Sequence, residues 1–182
     1  SNYNTGDQDF TAQLTNIKSS NPDVIFAPGN FTEGAMIVKQ ARQLGITAPI
    51  IGADTWETPE YLDIGKEAVE GTVFSTFFAS ETPITAESKT FLDAYRQEFN
   101  KEPAAVSALS YDAYLVILDA IKRAGTANPE KIRDEIAKTK NFPGAAGVIT
   151  IDENNNAVKD AVLKVIKDGK FTYLDTIKPE QN

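Results

Sequence analysis

Three short apolar runs, separated by segments that fit one helix each, constrain the fold of this chain more than any other feature. The runs lie at residues 24–27, 49–52 and 72–78. A strand, a helix and a second strand at this spacing pair in parallel through a right-handed crossover. The first part of the 182-residue chain is therefore predicted to be an α/β structure in which helices cover a sheet.

The pattern changes near residue 79. A polar stretch at 80–83 interrupts the apolar runs and predicts a connection between two subdomains. Helical periodicity dominates beyond it, and residues 106–124 are apolar on two faces, which predicts a helix buried at the centre of its subdomain. Strand patterns return at 147–152 and on both sides of Asp168-Gly169, a favoured hairpin turn.

Composition excludes several functional classes. The formal net charge of -8 opposes binding to nucleic acid or to anionic lipid. The chain has no Cys and no His, which excludes thiol nucleophiles, Ser-His-Asp triads and the common zinc sites, and no nucleotide-binding glycine motif occurs. We therefore expect a protein that is not an enzyme and needs no cofactor or metal. No apolar run is long enough to cross a bilayer, so membrane insertion is not expected, and any export signal must lie outside the chain or have been removed.

Polar and aromatic side chains follow the first two apolar runs. Asp54 and the only Trp, Trp56, come directly after the second run, and Asn30 and Phe31 follow the first. Ligands of open α/β sheets bind beyond the carboxyl ends of the strands, so these side chains are predicted to share one rim. Asp54 would either cap its own turn or receive a ligand ammonium group, and Trp56 would either pack against a ligand or seal the core. Asn30 and Phe31 fit a cleft wall or a simple turn.

Five segments carry a family resemblance. They are GADTWETP at 52–59, EG at 70–71, ALSYDA at 108–113, AIKRAG at 120–125 and GVITID at 147–152. In order and spacing they resemble the signatures of periplasmic leucine/isoleucine/valine-type binding proteins, the substrate-binding components of branched-chain amino-acid ABC transporters. The resemblance spans essentially the whole chain but only the carboxyl-terminal half of such a protein.

The resemblance implies a type I periplasmic-binding-protein-like fold, in which two doubly wound α/β lobes are joined by a hinge. The fold is expected to be incomplete in this chain. Residues 1–76 would form the ligand-binding second lobe. Residues 77–159 would return to the first lobe as a mostly helical part with one strand, and residues 160–182 would cross back to the second lobe.

The same resemblance implies a function. Such a protein binds an amino acid or related amine between its lobes and delivers it to an ABC permease, in the periplasm or another extracytoplasmic space, after a signal peptide has been removed from its precursor. Asp54 would receive the α-ammonium group, and Asn30, Phe31 and Trp56 would line the cleft. Val106 falls near a position where the family places an aromatic residue.

The family's α-carboxylate site lies in the amino-terminal half, which this chain lacks. We therefore expect the isolated chain to bind amino acids very weakly or not at all, because one rim supplies only part of the contacts while the full ordering cost remains.

Three other interpretations use the same residues. The fold could serve as the ligand-sensing ectodomain of a receptor. Asp54 could instead be the phosphoacceptor of a flavodoxin-like signalling domain, although the acidic pair and the Lys that such a domain needs at strand ends are missing. A metal-dependent hydrolase would need two acids placed to share an ion, and the sequence shows no such pair.

Overall fold

The structure is a computed structural model that describes residues 1–179, and the chain forms two compact units. The first unit comprises Ser1–Thr76 and Leu163–Asp175, and the second comprises Phe77–Val162 with residues 176–179. The first division falls after residue 76, and the assignment of the two units to the lobes of the family stays a prediction. The chain returns to the first unit after residue 162, and residues 176–179 group with the second unit. The last three residues of the predicted segment 160–182 lie outside the described residues.

Helices and strands alternate in the first part of the chain, and helices dominate the middle. The helices are α1 (Thr11–Ser19), α2 (Phe31–Gln43), α3 (Pro59–Gly65), α4 (Ala86–Phe99), α5 (Ala105–Ala124) and α6 (Pro129–Ala137), with 3-10 turns at Asp54–Trp56 and Lys66–Val69. The strands are β1 (Ile25–Phe26), β2 (Ile50–Gly52), β3 (Val73–Thr76), β4 (Phe142–Gly144), β5 (Gly147–Ile151), β6 (Ala157–Val158), β7 (Ala161–Lys167) and β8 (Lys170–Ile177).

A five-stranded sheet with the order β1-β2-β3-β7-β8 organises the first unit. β1 pairs with β2 in parallel, with Ile25 opposite Ile50, and β2 pairs with β3 in parallel, with Ile51 opposite Val73. The parallel crossovers predicted from the apolar runs are therefore confirmed. Asp168 and Gly169 join β7 to β8 with φ angles of 52° and 67°, the geometry of a type I′ hairpin turn.

Large side chains fill the core of the first unit. The inward stripe of α2 includes Ala35, Val38 and Ala41, all fully buried against the sheet. Trp56 and Tyr61 stack on each other with ring centroids 4.8 Å apart, and both are fully buried. This unit thus encloses its own apolar core.

The second unit combines α4, α5 and α6 with a three-stranded antiparallel sheet of order β4-β5-β6. β5 was predicted, whereas β4 and β6 were not. Pro143 and Gly144 within β4 are turn signals in a sequence, and β6 has only two residues. The carboxylate of Asp112 on α5 accepts hydrogen bonds from the backbone N–H groups of Ala145 (2.5 Å) and Ala146 (2.8 Å), which fixes the turn between β4 and β5 on the helix.

The prediction that α5 is a central buried helix holds for only one of its two apolar faces. Its buried face carries Ala108, Asp112, Val116 and Ala120, among others. On the rest of the helix, Val106 is 69% exposed, Tyr114 60% and Ile117 44%. The described elements of this unit cover only one of the two apolar faces that the sequence shows.

Candidate functional site

Two loops meet at the carboxyl edge of the sheet in the first unit. One leads from β1 to α2 and contains Asn30, and the other leads from β2 into the 3-10 turn that begins at Asp54. The backbone N–H of Ala27 donates to the carbonyl of Ile51 at 2.8 Å, so the two strands remain paired up to the start of the loops. Parallel pairing therefore brings the Asn30 and Asp54 loops to the same edge.

The side chains of Asp54 and Asn30 are both exposed. The Asp54 backbone carbonyl accepts from the N–H of Glu57 at 3.1 Å, while within the described residues its carboxylate has no hydrogen-bond partner. Asn30 occupies the N-cap position of α2, yet its side chain makes no capping hydrogen bond. Of the two interpretations of Asp54, the carboxylate that is free to receive a ligand fits this geometry better than the capping residue.

The two aromatic residues predicted for the rim have different positions. Phe31 is the first residue of α2 and is half-buried against the core of its unit. Trp56 has 0% exposure, and a Cβ atom added at Gly34 or Gly52 would lie 2.3 Å from its indole. The structure therefore places Trp56 in the core rather than on the rim, which agrees with the second of its two predicted roles.

Val106 does not belong to this edge of the sheet. It lies in the first turn of α5, in the second unit, and its side chain is exposed. Its part in ligand binding stays a prediction.

Sequence reasoning missed a buried ion pair beneath the Asp54 turn. The Lys164 ammonium group lies 2.5 Å from Oε1 of Glu57, whose Oε2 accepts a hydrogen bond of 2.6 Å from the Thr76 hydroxyl. The two charged side chains are only 8% and 11% exposed. One signal was present, because Lys164 falls between Val162 and Ile166 on the inward face of β7, where a charged residue needs a partner.

Sequence reasoning also missed the groups that hold the Asn30 loop. Tyr3 packs so closely over Gly29 that any Cβ at that position would overlap the phenol oxygen. Burial, followed by the nearby Glu33 carboxylate, raises the pKa of Tyr3. Glu33 is itself buried in the first turn of α2 and accepts the backbone N–H of Gly6 at 2.9 Å. The chain that precedes α1 thus fixes the loop that follows β1.

A separate groove of about 360 Å³ lies in the same unit. Apolar side chains line most of it, including Phe10, Leu14 and Phe26. Asn30 and Asp54 are not among the residues that line it, so the groove is distinct from the rim.

The arrangement at the rim suits the binding of a cationic group. An accessible carboxylate on the same edge of the sheet as an exposed amide can hold an ammonium group through charge-assisted hydrogen bonds. The described residues hold no group of three or more His, Cys, Asp or Glu side chains that could bind a metal ion. In the same part of the chain, no helix combines the length and the apolar character that a membrane span requires.

Comparison with known proteins identifies the family. The sequence model described as "Periplasmic binding protein" matches residues 1–170. The chain belongs to the periplasmic binding protein family. A curated relative of this binding protein, a Leu/Ile/Val-binding protein of Rhizobium johnstonii, is 33% identical over 152 residues, which are 83% of the chain and 41% of the relative.

Solved structures of the family agree with the fold. A leucine-binding protein from Thermotoga maritima is 47% identical with a TM-score of 0.92, over 97% of this chain and 51% of that protein. A branched-chain amino acid transporter substrate-binding protein from Streptococcus pneumoniae, solved in complex with isoleucine, is 36% identical with a TM-score of 0.83 over the same shares. The predicted type I fold is confirmed. The prediction that the fold is incomplete is confirmed as well, because the chain spans about half the length of the relatives that it matches.

Proposed function

We propose that this chain is part of the solute-binding component of an ABC importer, and that the rim formed by Asp54 and Asn30 binds the ammonium end of an amino acid or related amine. The carboxylate of Asp54 lies at the carboxyl edge of parallel strands, is accessible and has no partner among residues 1–179, and this observation carries the proposal. A charge-assisted hydrogen bond to such a group contributes about 1.5–3 kcal/mol.

The family relatives support an amino acid as the ligand. These relatives are named for binding leucine, isoleucine or valine, and one of them was solved in complex with isoleucine. Phe31, half-buried behind Asn30, offers an apolar surface for part of a side chain. We further propose that the protein acts in the periplasm or another extracytoplasmic space and delivers the bound solute to an ABC permease.

The partner proposed for this chain is the amino-terminal half of the same kind of protein. The family resemblance implies that the groups that hold the ligand's carboxylate belong to that half, and the chain itself spans about half the length of its relatives. The exposed apolar face of α5, with Val106, Tyr114 and Ile117, is proposed to pack against it. Packing against the amino-terminal half would bury these apolar side chains, which the second unit leaves exposed.

Substitution of Asp54 tests the proposal directly. We define the joined protein as this chain fused to the part of the Thermotoga maritima leucine-binding protein that the chain does not cover. A cooperative unfolding transition, measured by circular dichroism, should first establish that the joined protein is folded. Titration calorimetry with leucine should then give an affinity that falls about 10- to 100-fold in Asp54→Ala, as expected for loss of a charge-assisted hydrogen bond.

A second acidic residue provides the matched control. Asp63 is also exposed but lies on α3 rather than at a strand end, so Asp63→Ala should bind leucine with unchanged affinity. Equal affinity of Asp54→Ala and the unaltered joined protein would overturn the site assignment. Micromolar binding by the isolated 182-residue chain would contradict the need for a second half.

Binding alone does not separate transport from sensing, since a receptor ectodomain would use the same rim. Uptake of labelled leucine by cells that carry the joined protein, compared with the same cells carrying Asp54→Ala, tests the importer role. The family membership favours binding over a phosphoacceptor role for Asp54.

A further inference from the structure

We infer that Thr55 is a positioning residue for the ammonium site, an inference that rests on the proposed function. The Thr55 hydroxyl donates a hydrogen bond of 2.6 Å to the backbone carbonyl of Gly29. The two residues are 26 positions apart in the chain and lie on the two loops of the rim. Thr55 thus connects the loop that carries Asp54 to the loop that carries Asn30.

The residues around Asp54 explain why this connection matters. On the carboxyl side of Asp54, Trp56 is fixed in the core and Glu57 is held by Lys164. The Asp54 side chain has no partner of its own in the described part of the chain, so its place is set through the backbone of its neighbours. Thr55 is the neighbour whose side chain reaches the opposite loop.

The acceptor of the Thr55 hydrogen bond is held in place from its other side. Tyr3 packs on Gly29, and Glu33 in the first turn of α2 accepts the N–H of Gly6. These contacts restrain the backbone at Gly29, and with it the carbonyl that accepts the Thr55 hydrogen bond. The hydrogen bond from Thr55 therefore limits movement of the adjacent Asp54 relative to the Asn30 loop. The β-branched side chain of Thr55 also has a restricted χ1 angle.

Two substitutions separate the hydroxyl from the shape of the side chain. Thr55→Val keeps the branched shape and removes the donor, whereas Thr55→Ser keeps the donor. Thr55 is exposed, so neither change disturbs the core. In the joined protein, Thr55→Val should weaken leucine binding about fivefold, the size expected for losing one neutral hydrogen bond, and Thr55→Ser should stay within about twofold of the unaltered protein.

A double-substitution cycle distinguishes positioning of Asp54 from a general effect on folding. In an Asp54→Ala background, Thr55→Val should change leucine affinity by less than about twofold, because the carboxylate that it positions is gone. The melting temperature should be similar in both single variants of Thr55.

The outcomes separate this inference from the proposed function. If the unaltered joined protein binds leucine and Thr55→Val binds it equally well, the positioning role is wrong while the proposed function stands. The role is also wrong if Thr55→Val weakens binding equally with and without Asp54. If the folded, unaltered joined protein binds no leucine, both the function and the role of Thr55 are wrong.

Discussion

The two units of this chain are stabilised in different ways. The first encloses large aromatic side chains, and Trp56, Tyr61 and Phe74 are all fully buried. The second has two smaller clusters, in which Ala side chains pack beside Phe78 and Phe91, is anchored by the buried carboxylate of Asp112, and leaves Tyr114 exposed on α5. The difference indicates that one large apolar cluster stabilises the first unit, whereas the second combines smaller apolar clusters with the polar anchoring that Asp112 provides.

The largest expected effect compares an aromatic residue from each unit. Trp56→Ala should lower the free energy of unfolding by about 4 kcal/mol, because it removes a fully buried ring and leaves a cavity. Tyr114→Ala, at a position 60% exposed, should change it by less than about 0.5 kcal/mol. Urea denaturation followed by circular dichroism measures both, and similar losses in the two variants would remove the contrast between the units.

The ion pair in the first unit should give the next largest effect. Lys164→Met leaves the Glu57 carboxylate buried without its cation and should cost about 3 kcal/mol. Replacing both partners, as Lys164→Met with Glu57→Leu, should recover most of that loss, since an apolar pair needs no charge compensation. The denaturation midpoints of the two single variants and the double variant give the coupling energy, and purely additive losses would show that the charges are not coupled.

Substitution of the buried Asp112 in the second unit should give the third largest loss of stability. Asp112→Ala leaves the N–H groups of Ala145 and Ala146 without their acceptor and should cost about 2 kcal/mol. Asp112→Asn retains one acceptor oxygen and should cost about half as much. Amide hydrogen exchange at residues 145 and 146 should speed up in Asp112→Ala before exchange at β2 does. Equal acceleration in both sheets would mean that the units do not unfold separately.

The smallest effect is a pH dependence of the second unit. Burial lowers the pKa of Lys159 to about 8, although Asp112 and Asp160 act in the opposite direction. Between pH 8 and 10 the unfolded chain keeps this proton while the folded chain releases it, so stability should rise with pH. Because the ammonium group is partly exposed and screened by solvent, we expect a total rise of about 0.5 kcal/mol. Urea denaturation at pH 7.5, 8.5 and 9.5 should show this rise in the unaltered chain and a flatter profile in Lys159→Met. Parallel profiles would contradict the assignment to Lys159.

Sequence patterns were sufficient to predict the elements that depend on local runs of apolar residues and on turn residues. The apolar runs predicted the parallel strands, and Asp168-Gly169 predicted the hairpin, because only a few conformations suit such residues. Parallel pairing in turn predicted that the loops of Asn30 and Asp54 share one edge.

Other features depend on contacts that periodicity does not report. Trp56 follows a strand end, and the sequence does not show that its ring turns inward onto Gly34 and Gly52. The Thr55 hydrogen bond joins residues 26 positions apart, and an exposed Thr carries no pattern. For α5 the sequence correctly shows two apolar faces but not which of them the described elements cover.

The position of Trp56 has a spectroscopic consequence. It is the only Trp in the chain, it lies entirely within the core of the first unit, and it is two residues from Asp54. Its indole emission, selectively excited near 295 nm, should therefore shift to longer wavelength only when the first unit opens and water reaches the ring. The chain thus carries a built-in fluorophore that reports on one unit alone, without labelling.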